Sequence, residues 1–294
     1  MDSLAGKVAV VTGSALGIGR AIARRFAKDK ATLILIDIDG PALEETAREL
    51  RAGGAEVLSR TLDVADETGM ARLADEVFAK YGHVDLVINN AGVLPPQGGA
   101  LWQVSLNTWR WGFDVNVIGV LNVTNAFLPR MMKRDSESWI VNVTSHFGGL
   151  LVTAGGGVYG ATKAALGAVT EILHFELEAA KAPVKAMLFF PGPHTVPTGI
   201  YDPEKVRPTK YPRAADEPKP RHMSIDDMQK YMMETYGRLR DTITPEKAAD
   251  DIVIALREKR AWFVPMSERF ERALKLRFSE IAQGQAPSPP HDIM

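Results

Sequence analysis

The sequence predicts an α/β chain: a doubly wound, seven-stranded parallel sheet with helices on both faces, in a single domain. Three observations predict it. Short apolar runs alternate with longer amphipathic stretches between residues 7 and 264, the way strands and crossover helices of a parallel sheet read. The first run, KVAVVT at 7–12, passes into a glycine-rich turn, TGSALGIG at 12–19, and then a helical pattern through Ile22, Ala23, Phe26 and Ala27. The second run, ATLILI at 31–36, ends on Asp37, eighteen positions after Gly19.

Strand, glycine turn and helix together form the phosphate end of a Rossmann-type unit. Gly13 permits the tight turn, Gly17 lets the backbone approach a phosphate, and Gly19 allows close helix–strand contact. The helix N-terminus then faces the phosphates with free N–H groups and its positive dipole end. By itself a GxxxGxG turn is either a phosphate cradle or a plain tight turn. Asp37 favours the cradle. An acid at the end of the second strand accepts both hydroxyls of an adenosine ribose and repels a 2′-phosphate, and Ile38 beside it supplies no compensating charge. The expected cofactor is NAD rather than NADP; the bland alternative is that Asp37 merely ends a strand.

The remaining elements follow in order. Pro41 to Leu50 reads as a helix stopped by Gly53-Gly54, and 55–62 as a third strand ending at Asp63-Val64. Asp66 is placed to cap a helix that runs through Tyr81. DLVINNAG at 85–92 is a fourth strand closing on Asn89, Asn90, Ala91 and Gly92, small and amide residues that suit contact with a flat cofactor. A long helix spans 107–133, and its Asn116, among Phe113, Val115 and Val117, needs buried partners or a water. WIVNVTS at 139–145 and 184–190 are the fifth and sixth strands, a helix covers 159–180, and WFV at 262–264 is the seventh strand. Thr244 caps a helix with Pro245 at its first position.

Composition bounds the function. The chain has 294 residues, 46% hydrophobic and 24% charged, which suits a soluble globular protein with a full core. A formal net charge of -1 argues against nucleic acid as a partner. There are no cysteines, which excludes disulfides and fits a cytoplasmic setting. MDSLAGK lacks the features of a signal peptide, and no apolar run is long enough to span a membrane. No metal-ligand cluster is visible.

The chemistry concentrates at YGATK, 159–163. Tyr159 and Lys163 are four apart, so on a helix they share a face. A phenol ionises near pH ~10, and a nearby ammonium favours the phenolate and lowers that value. Taken alone, such a pair is also what a buried ring beside a solvated charge looks like.

With TGSALGIG, Asp63, NNAG, Asn116, Ser145, YGATK and PG at 191–192 in this order, the chain resembles the short-chain dehydrogenase/reductase family over residues 5–200 and again around 245–265. The resemblance implies that Tyr159 is the catalytic acid/base. Lys163 would lower its pKa and bind the nicotinamide ribose, and Ser145 would hydrogen-bond the substrate oxygen. Asn116 would hold a water linking Lys163 to solvent. It places the cofactor along Gly13, Ala15, Leu16, Gly17, Ile18 and Gly19, with Asp37 and Ile38 at the ribose and Asp63 and Val64 at the adenine. Asn90, Ala91 and Gly92 would meet its central portion, and Pro191 and Gly192 its far end. Thr195 or Thr198 would hold the nicotinamide carboxamide. By family position Leu94 to Pro96, His146 and Phe147 are pocket walls; His146 and His194 read equally as structural histidines. Homodimers or homotetramers pairing through 107–133 and 159–180 are also implied.

The expectation is an NAD-dependent oxidoreductase interconverting a secondary alcohol and a ketone, probing a bulky apolar or aromatic small molecule. The alternatives are a double-bond reductase of the same family and a non-catalytic NAD sensor. The domain covers 1–266. Within it the proline-rich 197–243 reads as an insertion or lid on the substrate side, with a helix at 224–240 whose Met228, Tyr231, Met232 and Tyr236 either line the pocket or dock the helix. Trp102, Trp109 and Trp111 read as packing or interface residues. An extension helix at 267–283 puts Phe270, Leu274, Phe278 and Ile281 on one face with basic residues around it, and 284–294 is a flexible tail. That helix reads as packed on its own domain or on a second subunit rather than on a membrane surface.

Overall fold

The apolar runs become strands buried on both faces, as a parallel sheet covered by helices requires. They are β1 (Val8–Thr12), β2 (Thr32–Asp37), β3 (Val57–Thr61), β4 (Leu86–Asn89), β5 (Ser138–Val143), β6 (Val184–Phe189) and β7 (Trp262–Phe263). All pairings are parallel, in the order β3-β2-β1-β4-β5-β6-β7. The order reverses between β1 and β4, and a ligand crevice opens at the carboxyl ends of strands at such a reversal. The computed structural model describes residues 1, 3–95, 100–192, 196, 198–215, 217, 224–236 and 242–288, and at 225, 228, 231, 232, 235 and 236 it describes the backbone only.

Side-chain caps start some of the helices between strands and not others. In α1 (Gly17–Lys28) the N-cap, Leu16, offers no side-chain hydrogen bond, and neither does Gly156 ahead of the helix at Gly157–Ala179. In α2 (Gly40–Ala52) Asp39 accepts from the Ala42 N–H. In α3 (Glu67–Tyr81) Asp66 accepts from the Gly69 N–H, and Gly82 ends the helix in the left-handed conformation. One sheet face is covered by α1, α2 and α9 (Pro245–Arg257), with Phe26, Leu35, Ile252 and Phe189 in the core between them. The opposite face carries α3, α5 (Gly119–Met131) and α7 (Gly157–Ala179), closed around Ile34, Val87, Phe127 and Ile140.

The helix expected over 107–133 is not uniform. It consists of α4 (Leu106–Phe113), a π-helical turn at Asp114–Ile118, and α5. The extra residue of the π turn lies at Asn116, whose fully buried amide bonds both backbone groups of Val93. The outer faces expected to pair with a second subunit carry exposed Ile118, Ile172 and Phe175.

A distorted turn, α6 (His146–Gly149), follows β5. The backbone of α8 (Ile225–Tyr236) is helical as expected, while the side chains of Met228, Tyr231, Met232 and Tyr236, residues 237–240 and the end of the tail from 289 lie outside the described residues. In α10 (Glu268–Ala282) Phe270 is buried and Leu274 partly so, but Phe278 and Ile281 are exposed. The four therefore do not form one docked stripe. Among the described residues no helix is long and apolar enough to cross a membrane.

Candidate active site

Two cavities lie along the carboxyl ends of the strands. The smaller, about 270 Å³, is bounded by Gly13, Gly17, Asp37, Asp63 and Asn90, which follow β1 to β4. The larger, about 780 Å³, lies beyond β5 and β6, against Ser145, Tyr159, Pro191 and Gly192. Ile18, Thr198 and Ile200 line both.

The floor of the smaller cavity is built from glycines with no room for side chains. Gly13 and Gly17 have φ of +64° and +57°, the left-handed region that favours glycine. A Cβ on Gly19 would stand 1.9 Å from the Gly13 carbonyl oxygen, so this glycine is what lets α1 sit against the turn. Asn90 ties the turn to β4, its amide donating to the Thr12 and Gly13 carbonyls at 3.0 Å each. Ala15, Leu16, Ile38, Val64, Ala91 and Gly92 line this cavity too, as expected for them. The uncapped start of α1 carries no acidic residue in its first turn, so its N–H groups and dipole are free for an anion.

Asp37 is one of the acids that line this cavity, with Asp39, Asp63 and Asp202. Its carboxylate accepts from the Ala15 N–H at 2.8 Å and the Asp39 N–H at 3.0 Å. Burial pushes its carboxyl up, and those backbone donors pull it back down. Two bonds leave acceptor capacity on both oxygens, since an ionised carboxylate has about four lone-pair sites. Asp63 accepts from the Ala65 N–H at 2.9 Å. An uncapped helix start, glycines packed to contact and an acceptor carboxylate fit a dinucleotide, with the pyrophosphate at α1 and a ribose at Asp37.

Tyr159 lines the larger cavity, and Lys163 is buried beside it without lining either cavity. Tyr159 lies in the first turn of α7, and Ser145 is the N-cap of α6, its Oγ accepting from the Phe147 N–H at 3.2 Å. Ser145 and Tyr159 both line the cavity, and the Ser145 hydroxyl favours the ionised form of the phenol. Lys163 is 4% exposed, and its ammonium donates to the Val143 carbonyl at 3.0 Å and lies 5.7 Å from the centre of the Tyr159 ring. The pKa of the phenol moves opposite to the sequence expectation. Burial pushes it up to about 12, the Ser145 hydroxyl opposing, and burial pulls Lys163 down to about 8. The physical reason is that a dry site penalises both charged forms, and here that penalty outweighs their attraction.

The Asn116 amide bonds Val93, at 2.8 and 2.9 Å, and Thr162 Oγ1 at 3.0 Å. Its oxygen and Lys163 Nζ both approach Gly92, where an added Cβ would lie 3.3 and 3.6 Å from them.

Of the expected pocket walls, Leu94 and Phe147 line the cavity. His146 turns away from it. Its ring sits between Phe190 and Phe270, with Nε2 3.1 Å from the Pro265 carbonyl oxygen, where it joins α10 to the sheet. Pro96, His194 and Thr195 lie outside the described residues. Thr198 is at the junction of the two cavities, against Gly17.

The sequence reading missed several wall residues. Trp109, Trp102, Val152 and Tyr201 line the larger cavity, Trp102 at 86% exposure. Only the helical phase of Trp109 and Val158 carried a hint of this; Trp102 and Tyr201 lie in single 3-10 turns and Val152 in a loop, all too short to show a periodicity. Trp111 is fully buried beside the smaller cavity. The proline-rich insertion also divides. Tyr201 faces the larger cavity and Thr198 and Ile200 face both, while Pro203, Lys205, Val206 and Pro208 face the smaller one, not the substrate side.

Comparison with known proteins agrees with this geometry. The model of the short chain dehydrogenase family matches residues 7–204. A CLA biosynthesis dehydrogenase/reductase of Lactiplantibacillus plantarum is 30% identical over 98% of this chain and 97% of its own. A 1-deoxy-11-beta-hydroxypentalenate dehydrogenase of Streptomyces exfoliatus is 42% identical over 58% of this chain, and the match spans only 62% of that protein's length. The crystal structure of a short chain dehydrogenase/reductase from Burkholderia phymatum in complex with NAD superposes with a TM-score of 0.86, at 36% identity and 99% coverage of both chains. By the family model and the relatives that match along the whole chain, the protein belongs to the short-chain dehydrogenase family and is an oxidoreductase.

Proposed function

We propose that the protein is an NAD-dependent oxidoreductase that interconverts a secondary alcohol and a ketone, acting on bulky apolar or aromatic molecules. The observation that carries this reading is that Tyr159 and Ser145 stand together on the wall of a large apolar cavity, with the buried Lys163 ammonium 5.7 Å from the centre of the Tyr159 ring. The NAD complex of the Burkholderia relative and the dehydrogenase names of the two curated relatives support it.

A bound nicotinamide dinucleotide supplies the hydride acceptor or donor. The chain supplies the proton chemistry. Ser145 donates to the substrate oxygen and holds it near the Tyr159 hydroxyl, which is catalysis by positioning. As the phenolate, Tyr159 takes the hydroxyl proton in the oxidative direction, and as the phenol it returns it in reduction. A phenol held near 12 is seldom ionised at neutral pH, so a cation beside it, which favours the phenolate, matters. Lys163, with its pKa near 8, is still mostly protonated at pH 7 and provides that charge. Asn116 fixes Thr162 and Val93 around Lys163 and acts as a positioning residue.

NAD is preferred because Asp37 offers acceptor oxygens to a ribose and repels a phosphate there. The test is turnover of a panel of aliphatic, benzylic and polycyclic secondary alcohols, followed by nicotinamide absorbance with NAD and with NADP. Tyr159→Phe is expected to lower turnover about 10²–10⁴-fold while NADH still binds. Silence across the panel with NADH bound would remove the alcohol reading, and a preference for NADP would remove the role given to Asp37.

A further inference from the structure

The proline-rich segment between β6 and α9 is fastened in a way that a flap over substrate does not need. Arg207 has a nearly buried side chain and donates to Thr108 Oγ1 at 2.7 Å, to the Tyr211 carbonyl at 2.7 Å and to Glu204 at 3.2 Å. Its guanidinium lies 5.1 Å from the Trp111 ring. The Tyr211 hydroxyl donates to the Asp114 carboxylate in the π turn, and its ring packs with Val93 and Trp111. Glu217 is 6% exposed and accepts from both the N–H and the hydroxyl of Ser105, the N-cap of α4, at 3.1 Å. Asn107 donates to the Pro212 carbonyl at 3.2 Å.

A buried charge is costly unless it is fully paired, so Arg207 and Glu217 are tolerable only while the segment stays down on α4. Between these anchors and the glycine turn lie Pro203, Lys205, Val206 and Pro208, which form the wall of the smaller cavity opposite Asp37 and Val64. Pro203 and Pro208 hold their own φ angles and lower the freedom of the chain there.

We propose that residues 202–217 form a fixed roof over the adenosine half of the dinucleotide, with Val206 and its flanking prolines as the upper face of the slot. Arg207 is a positioning residue that holds this face in place. The proposal rests on the dinucleotide reading above, and it assigns the segment to the cofactor rather than to the substrate.

The test is calorimetric binding of ADP-ribose, which carries the adenosine half without nicotinamide, alongside NADH binding and thermal unfolding of each variant. Val206→Ala is expected to weaken ADP-ribose and NADH to the same degree, about three- to tenfold, with Val206→Ile restoring most of the loss. Arg207→Met is expected to weaken both by tenfold or more and to speed NADH release in stopped-flow. Unchanged ADP-ribose binding in folded Val206→Ala and Arg207→Met would overturn the roof, as would a change confined to the KM of the alcohol. Wild-type protein that binds neither ligand would overturn the dinucleotide reading and the roof with it.

Discussion

The two cavities are built by different means. Around the smaller one the chain uses backbone and absent side chains: glycines at Gly13, Gly17 and Gly19, an uncapped helix start, and Asp37 held by two backbone N–H groups. Around the larger one it uses side chains from separate loops, including Trp109, Phe147, Val152 and Tyr201, with the Tyr159–Ser145 pair on its wall. The difference teaches which parts tolerate change. At Gly13 and Gly19 the floor meets backbone and the hydrogen-bonded Asn90 amide, with no flexible atom to move aside, whereas a wall of apolar side chains can be trimmed at a graded cost. The polar pair lies between these limits, because Lys163 is buried, Tyr159 is half-buried, and loss of water shifts both.

The largest effect is expected where the glycine floor is filled. Gly19→Ala puts a Cβ 1.9 Å from the Gly13 carbonyl oxygen and 2.6 Å from Asn90 Nδ2, both backbone or pinned atoms. NADH binding should fall about 100-fold and unfolding stability by roughly 2–3 kcal/mol, read by fluorescence titration and urea denaturation. A variant that binds NADH normally would end the contrast between a rigid floor and an adaptable wall.

Lys163→Met should come next, with turnover down about 10²-fold or more and a distinct signature in stability. Lys163 is held near 8 in the fold against 10.5 for a free lysine. Between those values the unfolded chain binds more protons than the folded one, so stability rises with pH through that window. The Met variant should lose this rise in melting temperatures taken from pH 8 to 10.5. A rise that persists would mean that another group, not the buried lysine, carries it.

The smallest effect is expected at the apolar wall. Trp109→Ala should raise the KM for a bulky alcohol about tenfold and leave NADH affinity within about twofold, because it enlarges only the larger cavity. Equal loss for NADH and alcohol would mean that the cavities are not separable in this way.

How much of this was legible follows the same division. The glycine turn, Asp37, the Asp66 and Thr244 caps and YGATK were readable because each obeys a rule that acts within a few residues. The break of the 107–133 helix at Asn116 was not readable, since the π turn answers to Val93, twenty-three positions away. His146 looked like a wall residue from its place after Ser145, but Phe190 and Phe270 drew it to the other side. The tyrosine–lysine spacing was correct, and the direction of the phenol's shift was not, because burial cannot be read from spacing.

The sequence by itself determined the strand–turn–helix alternation, the glycines that leave room for a phosphate, and the identity of the titrating pair. These depend on local conformational freedom and on periodicity, which are properties of neighbouring residues. Only the tertiary structure decided the dryness around Tyr159 and Lys163, the apolar wall at the larger cavity and the anchoring of 202–217 by Arg207 and Glu217. Each of these depends on which distant side chains exclude water from a group, and desolvation is set by the packed whole rather than by any segment of it.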